Sequence, residues 1–347
     1  MTNQPQTAPR QSGPARLVAQ VVRHVGYFPD NSYILCSIDR DTNRMTCMIS
    51  TELPADPADW PSTVAQALQH LQQVCAAHGI PTEGVVAFVC PDPSTPGYGA
   101  DSRQAHRPLT ELLGEVCQQR GVSLLESLYV TRTTRWSSFC TEPGCCPPEG
   151  SPIDLGAPYS HRADVLADLA PVTGTDATRF SDAIDRAHVA LHRKIRTEGN
   201  QAVVDDGRDL LAETVRTLTG PDAPTDIDDD LVAQLLLLLQ YEDIGSQAMH
   251  FVRTEELDAA RSLWRTLVRV PVDPFDDYRA TPLALYGVAA WAQGDPGIAR
   301  IAFDTAGSIE PDNALGRMLR TLIKTEPDFE PVRVALLAHR EGCPSVV

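Results

Sequence analysis

The side chains with the most reactive chemistry are three cysteines, Cys140, Cys145 and Cys146, which stand close together among prolines and glycines. Three interpretations of them stay open. In the first, they are thiols buried in a rigid turn. In the second, Cys140 forms a disulfide with Cys145 or Cys146. In the third, the cysteines bind zinc with His161 or Asp154 as the fourth ligand. Adjacent cysteines rarely reach one tetrahedral ion and a reducing cytoplasm disfavours a disulfide, so buried thiols are favoured.

A second group of polar residues follows the apolar run GVVAFVC, which is typical of a strand buried on both faces. Ligands of open α/β sheets bind beyond the carboxyl ends of the strands, so a pocket is expected after this run. Arg132 and Arg135, predicted near the other end of the sheet, are expected to pair with Asp92 or Asp101 or to bind an anion. The alternative is a solvated loop. The predicted pocket residues are Asp92, Asp101, His106, Arg135 and Ser138, and Tyr98 and Arg103 supply further polar groups in the same loop.

Around the cysteines, other residue types favour a rigid turn over chemistry. Trp136 is predicted to anchor the end of a strand, while prolines and glycines fix the backbone that leaves it. This segment is therefore expected to form a structural junction between the two halves of the chain. Its residues are Trp136, Pro147, Pro148, Glu149 and Gly150.

Composition and missing motifs exclude several classes of function. The formal net charge of -17 argues against nucleic-acid and membrane partners, which select basic surfaces. No run approaches the roughly 20 apolar residues that cross a bilayer, and no apolar signal segment begins the chain, so a cytoplasmic protein is expected. Phosphate-binding glycine loops and the H-E-x-x-H zinc motif are also missing. No cofactor is predicted, with zinc at the cysteines as the minority possibility.

Hydrophobic periodicity predicts the elements that must position these residues. Residues 15–139 show the order α-β-β-α-β-α-β-β, in which helical crossovers between strands predict a mixed sheet with parallel neighbours at its centre. After Gly150 eight segments carry helical periodicity, which predicts an all-α domain. They are residues 163–169, 180–196, 210–218, 227–240, 257–270, 283–293, 297–308 and 314–324. The expected organisation is a disordered tail at 1–14, an α/β domain at 15–158 and a helical domain at 159–347.

Two helices of the second half carry a finer pattern. Gly287, Ala299, Phe303 and Pro311 stand at the spacings of a tetratricopeptide repeat, in which small residues let two helices approach and the aromatic ring fills the seam. The pattern predicts tetratricopeptide-like helix pairs that present a protein-binding surface. A plain helical bundle with the same packing is the alternative.

Two segments resemble a known family. The run VGYFPDNS that leads into a strand, and RWSSFC followed by CCPPEG, are similar to an actinobacterial family known as domain of unknown function 4192. The helix pair that ends at Pro311 fits the same family. The resemblance implies a bacterial, cytoplasmic protein and supports the predicted fold, and it implies no activity.

Three functions follow as hypotheses. The favoured one is a non-enzymatic interaction or regulatory protein, in which the α/β domain is a scaffold and the helices bind a partner protein. The alternative is a hydrolase or transferase acting on a small molecule at the sheet ends near the cysteine loop. The third is a redox or metal sensor that uses the cysteines. The sequence carries no signal for an oligomeric state.

Overall fold

The residues described in the first half of the chain form a six-stranded mixed sheet in the order β2-β1-β3-β4-β5-β6. The structure is a computed structural model and describes residues 13–39, 42, 44–139, 147–156, 158–220, 223–224, 226–271, 273–325 and 328–342. β3 and β4 are parallel, and the other neighbours are antiparallel. The predicted mixed sheet is confirmed. Its strands are β1 Ser32–Asp39, β2 Arg44–Glu52, β3 Gly84–Cys90, β4 Ser123–Val130, β5 Thr134–Ser137 and β6 Ser151–Pro152.

Helices cover both faces of this sheet because its central strands carry apolar side chains on each side. Leu35 and Val89 point to one face, where they join the apolar residues of α2 and α4. Ile34 and Phe88 point to the other, where they join those of α1. The central strands are therefore buried on both faces, as the continuous apolar run GVVAFVC predicts for β3. The helices are α1 Gly13–Val25, α2 Trp60–Ala77, α3 Ala100–Ala105 and α4 Arg107–Gln119.

The second half is helical, as predicted. Helical periodicity marks most of its helices, but it misses α9, which is short, and α14. It also starts α7 at Leu210, ten residues late, because Asp205, Asp206 and Gly207 interrupt the apolar pattern. The helices are α5 Arg162–Asp168, α6 Thr175–Glu198, α7 Asn200–Thr219, α8 Asp229–Leu238, α9 Glu242–Ala248, α10 Thr254–Arg269, α11 Ala280–Ala292, α12 Pro296–Ile309, α13 Ala314–Thr325 and α14 Glu330–Gly342.

The chain divides into two compact units, with the boundary between Ala163 and Asp164. The first holds the sheet and the second holds the helices from α6 to α14. Among the described residues, no helix is both long and apolar enough to cross a membrane.

α11 and α12 approach closely through a glycine and an aromatic ring. Phe303 is fully buried, and a methyl group on Gly287 would overlap its Cε1 and lie 2.7 Å from its Cδ1. Ala299, on the same helix as Phe303, is also fully buried. The small and aromatic positions thus lie in the seam between the two helices. The tetratricopeptide interpretation of this pair stays a prediction.

Replacing Gly287 with alanine should destabilise the helical unit by about 1–3 kcal/mol, because the added methyl overpacks the seam against Phe303. Gly245→Ala is the matched control. Its methyl would meet only ordinary contacts, the nearest at 3.5 Å from Thr281 Cγ2, so helix propensity should stabilise the unit by up to about 1 kcal/mol. Urea unfolding followed by circular dichroism measures both changes. Equal effects would show that the seam does not limit packing.

Candidate functional site

A cleft of 530 Å³ opens beside α4, near the carboxyl ends of β3 and β4. Val89 and Tyr129, each the penultimate residue of its strand, lie at its base, and Ser138 and Phe139 lie just beyond the end of β5. This is the edge of the sheet at which α/β proteins bind ligands. The polar and charged side chains that line it are Arg103, Gln104, His106, Arg107, Thr110, Glu111, Tyr129 and Ser138.

Two aromatic rings and a backbone carbonyl fix the ring of His106. Its centroid lies 5.7 Å from that of Trp60 and 5.7 Å from that of Tyr129. Its Nδ1 lies 2.8 Å from the carbonyl oxygen of Ser102. A carbonyl oxygen can only accept, so Nδ1 carries the proton and Nε2 of the neutral ring keeps its lone pair.

Tyr129 supports the same wall of the cleft. Its buried hydroxyl donates to Oγ of Ser102 at 2.6 Å, and its ring meets that of Trp136 edge-on, with centroids 5.7 Å apart. Burial raises the pKa of Tyr129 to about 12, although the hydrogen bond to Ser102 opposes the rise. The hydroxyl therefore stays protonated at neutral pH and acts as a fixed donor.

The cleft is locally basic on a chain whose net charge is -17. Nε of Arg107 donates to Glu111 at 2.9 Å in an exposed ion pair. Glu111 is the single carboxylate among the described lining residues, whereas both Arg103 and Arg107 contribute guanidinium groups. One positive charge is thus left over, and the cleft favours an anion.

The rim opposite α4 is set by backbone pairing that continues past β5. The amide of Ser138 donates to the carbonyl of Ser127 at 2.8 Å, and the amide of Phe139 donates to Oγ of Ser137 at 3.3 Å. The Phe139 side chain is 47% exposed, which is unusual for so large an apolar ring. It offers a flat surface at the mouth of the cleft.

The predicted pocket is brought together in part. His106 and Ser138 line the cleft, but the other three predicted residues do not. Asp92 accepts hydrogen bonds from the amide and hydroxyl of Ser94, at 2.7 and 2.6 Å, and so caps a turn. Asp101 is exposed in the first turn of α3, and Arg135 is buried in β5. Arg103, which the sequence placed among the polar groups of this loop, also lines the cleft, whereas Arg107 was missed, although it lies in the segment after β3 where the pocket was expected.

A fully buried carboxylate, Asp30, lies at the same end of the sheet. Arg132 donates two hydrogen bonds to it, from Nε to Oδ1 at 3.1 Å and from Nη2 to Oδ2 at 3.0 Å. The backbone amide of Ala163 donates to Oδ2 at 3.3 Å. Burial, followed by the charge of Asp30, raises the pKa of the neighbouring Cys90 thiol. The pair therefore holds together three segments that are distant in sequence.

Arg132 corrects one sequence expectation. It was expected near the other end of the sheet, paired with Asp92 or Asp101, but it pairs with Asp30. Its backbone amide also donates to the hydroxyl of Tyr98, at 3.0 Å, in the loop after β3. The reason is geometric, because β3 and β4 are parallel and the segments that follow them leave the same sheet edge. Only the family-like segment VGYFPDNS, which contains Asp30, pointed to this position in advance.

The metal and disulfide interpretations depend on the three cysteines together with His161 and Asp154. Cys140, Cys145 and Cys146 lie outside the described residues. His161 lies against Phe28, with ring centroids 5.4 Å apart, and its Nδ1 is 3.9 Å from Oδ2 of Asp30. Within the described ranges, no group of three or more histidines, cysteines or acids is placed to hold a metal ion. The predicted ligand Asp154 accepts from the amide of Gly156 at 2.9 Å.

The predicted junction residues pack on one another. The indole of Trp136 donates to the carbonyl of Pro148 at 3.0 Å, and the amide of Gly150 donates to the carbonyl of Pro147 at 2.8 Å. Gly150 has a φ of +87°, and a methyl there would lie 2.5 Å from Cε2 of Trp136. Glycine is therefore required on two counts, conformation and space. Glu149 is exposed in this turn.

These features define a class of protein: an α/β unit with a basic cleft at its sheet edge, followed in the chain by a helical unit. The chain belongs to the family described as Domain of unknown function (DUF4192), whose model matches residues 14–326. The family resemblance read from the sequence is thus confirmed. Neither the curated proteins nor the solved structures contain a match to the chain.

Asp30→Asn should lower the free energy of unfolding of the α/β unit by about 3 kcal/mol, because it leaves the guanidinium of Arg132 without its buried carboxylate. Asp168→Asn is the matched control, since Arg265 also grips Asp168 with two hydrogen bonds but both side chains are over 40% exposed. That change should cost less than about 1 kcal/mol. Hydrogen exchange read by mass spectrometry measures each unit separately. A loss at Asp30 no larger than at Asp168 would contradict the structural role.

Proposed function

We propose that this chain is a non-enzymatic regulatory protein whose α/β unit binds a small anion carrying a flat ring in the cleft beside α4. The observation that carries the proposal is the convergence of Arg103, Arg107 and His106 on a cleft with Tyr129 at its base. Guanidinium groups bind carboxylates and phosphates through paired hydrogen bonds, which water weakens less in a recess than on an open surface.

The ring is inferred from the aromatic surfaces of the cleft. Phe139 exposes about half of its side chain at the mouth, and His106 stands between the rings of Trp60 and Tyr129. A planar ligand gains both apolar burial and stacking on such surfaces. The cleft volume of 530 Å³ lies within the usual range for small-molecule sites.

Arg103→Gln and Arg107→Gln should each weaken the binding of phenyl phosphate about tenfold or more, since each removes charged hydrogen bonds to the anion. Arg120→Gln is the control: it removes the same charge just beyond the other end of α4, where the guanidinium of Arg120 donates to Gln72. Isothermal titration calorimetry of the full chain measures the dissociation constants. Inorganic phosphate should bind more weakly than phenyl phosphate, and benzylamine should not bind.

Equal weakening by Arg120→Gln would show that only the overall charge matters, and the cleft would then not be the site. Tighter binding of benzylamine than of phenyl phosphate would contradict an anion site outright.

A hydrolase or transferase is the second candidate, and the fixed tautomer of His106 favours it. The lone pair on Nε2 suits a general base within the cleft, a role that contributes about 10²–10⁴-fold to catalysis. The same titration series therefore includes para-nitrophenyl acetate and para-nitrophenyl phosphate. The full chain would be an enzyme if it released nitrophenol and if the rate of release fell about a hundredfold or more in His106→Asn. That result would replace the non-enzymatic proposal with this one.

The helical unit is the part that we propose for contact with a partner protein. α10, α11, α12 and α13 pack in chain order, each against the next, an arrangement that gives repeat proteins extended binding surfaces. Met318 on α13 and Val334 on α14 are 51% and 59% exposed, which suits contact residues of a protein interface.

Met318→Glu and Val334→Glu should abolish the cross-linking of the tagged full-length chain to its partner in native extract, without changing its thermal unfolding. Introducing a charge into the apolar part of an interface costs several kcal/mol of desolvation, whereas exposed positions of the free protein tolerate it. Val189→Glu, at a position 61% exposed on α6, is the control. Cross-links that survive both substitutions would remove this surface from the proposal.

A further inference from the structure

A groove of 290 Å³ lies between α6, α7 and α8 in the helical unit, and none of its lining residues belongs to the cleft described above. Along α6 it is lined from Arg186 to Lys194, a span of two helical turns or about 12 Å. Between these ends α6 contributes Ala187, Ala190 and Leu191. The small side chains keep the groove open, and Leu237 and Leu238 of α8 add to its apolar floor.

Both ends of the groove are charged. At one end, Nε of Arg186 donates to Oδ1 of Asp230 at 3.1 Å. At the other, the ammonium of Lys194 binds Asp206 across to α7 and lies 3.8 Å from Glu198. The groove is thus apolar along its length and carries an ion pair at each end.

The described lining of the groove holds two carboxylates and two cations, and further carboxylates act on the cation at each end. A hydrogen bond to Asp230 raises the pKa of Arg186, and the charges of Asp182 and Asp229 add to the effect. Asp229 also pairs with Arg179 at 2.7 Å, but Arg179 is shared with Asp176. At the other end the hydrogen bond to Asp206 raises the pKa of Lys194, and the charge of Glu198 adds to it.

We propose that this groove binds a linear aliphatic diamine or polyamine, with its methylene chain on the apolar floor and one ammonium group at each acidic end. The match is in charge and in length: the two ion-paired ends lie about 12 Å apart along α6 and each has a further carboxylate acting on its cation, which suits a flexible chain with a cation at each terminus. A fatty acid would suit the floor but would meet excess carboxylates at both ends. The proposal is independent of the anion cleft, because it uses a different unit of the chain.

Spermidine should bind the full chain in isothermal titration calorimetry, and octylamine, with one ammonium group, should bind up to about fivefold more weakly, since each exposed ion pair contributes up to about that factor. Octanoate should not bind. Asp206→Asn and Asp230→Asn should each weaken the binding of spermidine by a similar factor.

Shape separates a specific groove from general attraction to an acidic protein. Ala190→Phe should abolish the binding of spermidine, because the ring fills the groove without changing charge. Val189→Phe, at the neighbouring exposed position that does not line the groove, should leave it unchanged. Spermidine that binds Ala190→Phe as well as the native chain would overturn the proposal, and so would octanoate that binds more tightly than octylamine.

Discussion

A buried carboxylate must be paired, and in this protein that requirement falls on Asp30. Transfer of an unpaired charge to the protein interior costs several kcal/mol, so the side chain is stable in its place only with Arg132 beside it. The guanidinium comes from a residue 102 positions away, and the amide of Ala163 comes from 133 positions away. One side chain thus fixes the entry to β1, the segment after β4 and the segment after β6.

The pair also explains how the cleft is positioned. The backbone of Arg132 donates to Tyr98, which ties the loop after β3 to the segment after β4. The loop leads directly into α3 and α4, which carry Arg103, His106 and Arg107. Tyr129 stands three residues before Arg132. Its side chain lies on one face of the sheet, and Cys90, the neighbour of Asp30, lies on the other. The ion pair therefore organises one face of the sheet edge and holds in place the elements that form the cleft on the other.

Hydrophobic periodicity was sufficient to predict the sheet and most helices, because buried positions recur at regular spacing along each strand and helix. The run GVVAFVC is buried on both faces, as its continuous apolar pattern predicts, and the parallel pair β3 and β4 follows from the helices between them. Long-range polar pairing leaves no such local trace. Nothing in the neighbourhood of Arg132 indicates that its partner is Asp30, and Asp92 and Asp101 were nearer in sequence. The cleft was predicted at the right sheet edge, and three of its residues were named, Arg103, His106 and Ser138. Arg107 was missed because exposed polar positions on a helix follow no periodic rule.

The net charge of the whole chain is a poor guide to the ligand that a single site binds. A value of -17 argues against anionic partners on average, yet Arg103 and Arg107 face a cleft with a single carboxylate among the described residues. The groove beside α6 differs from the cleft, since its described lining holds two cations and two carboxylates and three more carboxylates, Asp182, Asp229 and Glu198, act on those cations. Electrostatic interactions are screened over about 10 Å at 0.1 M salt, so a ligand responds to the charges that line its site and hardly to those on the far side of a unit. Two sites of opposite preference are therefore compatible on one acidic protein, and the local balance of charge decides which ligand each of them binds.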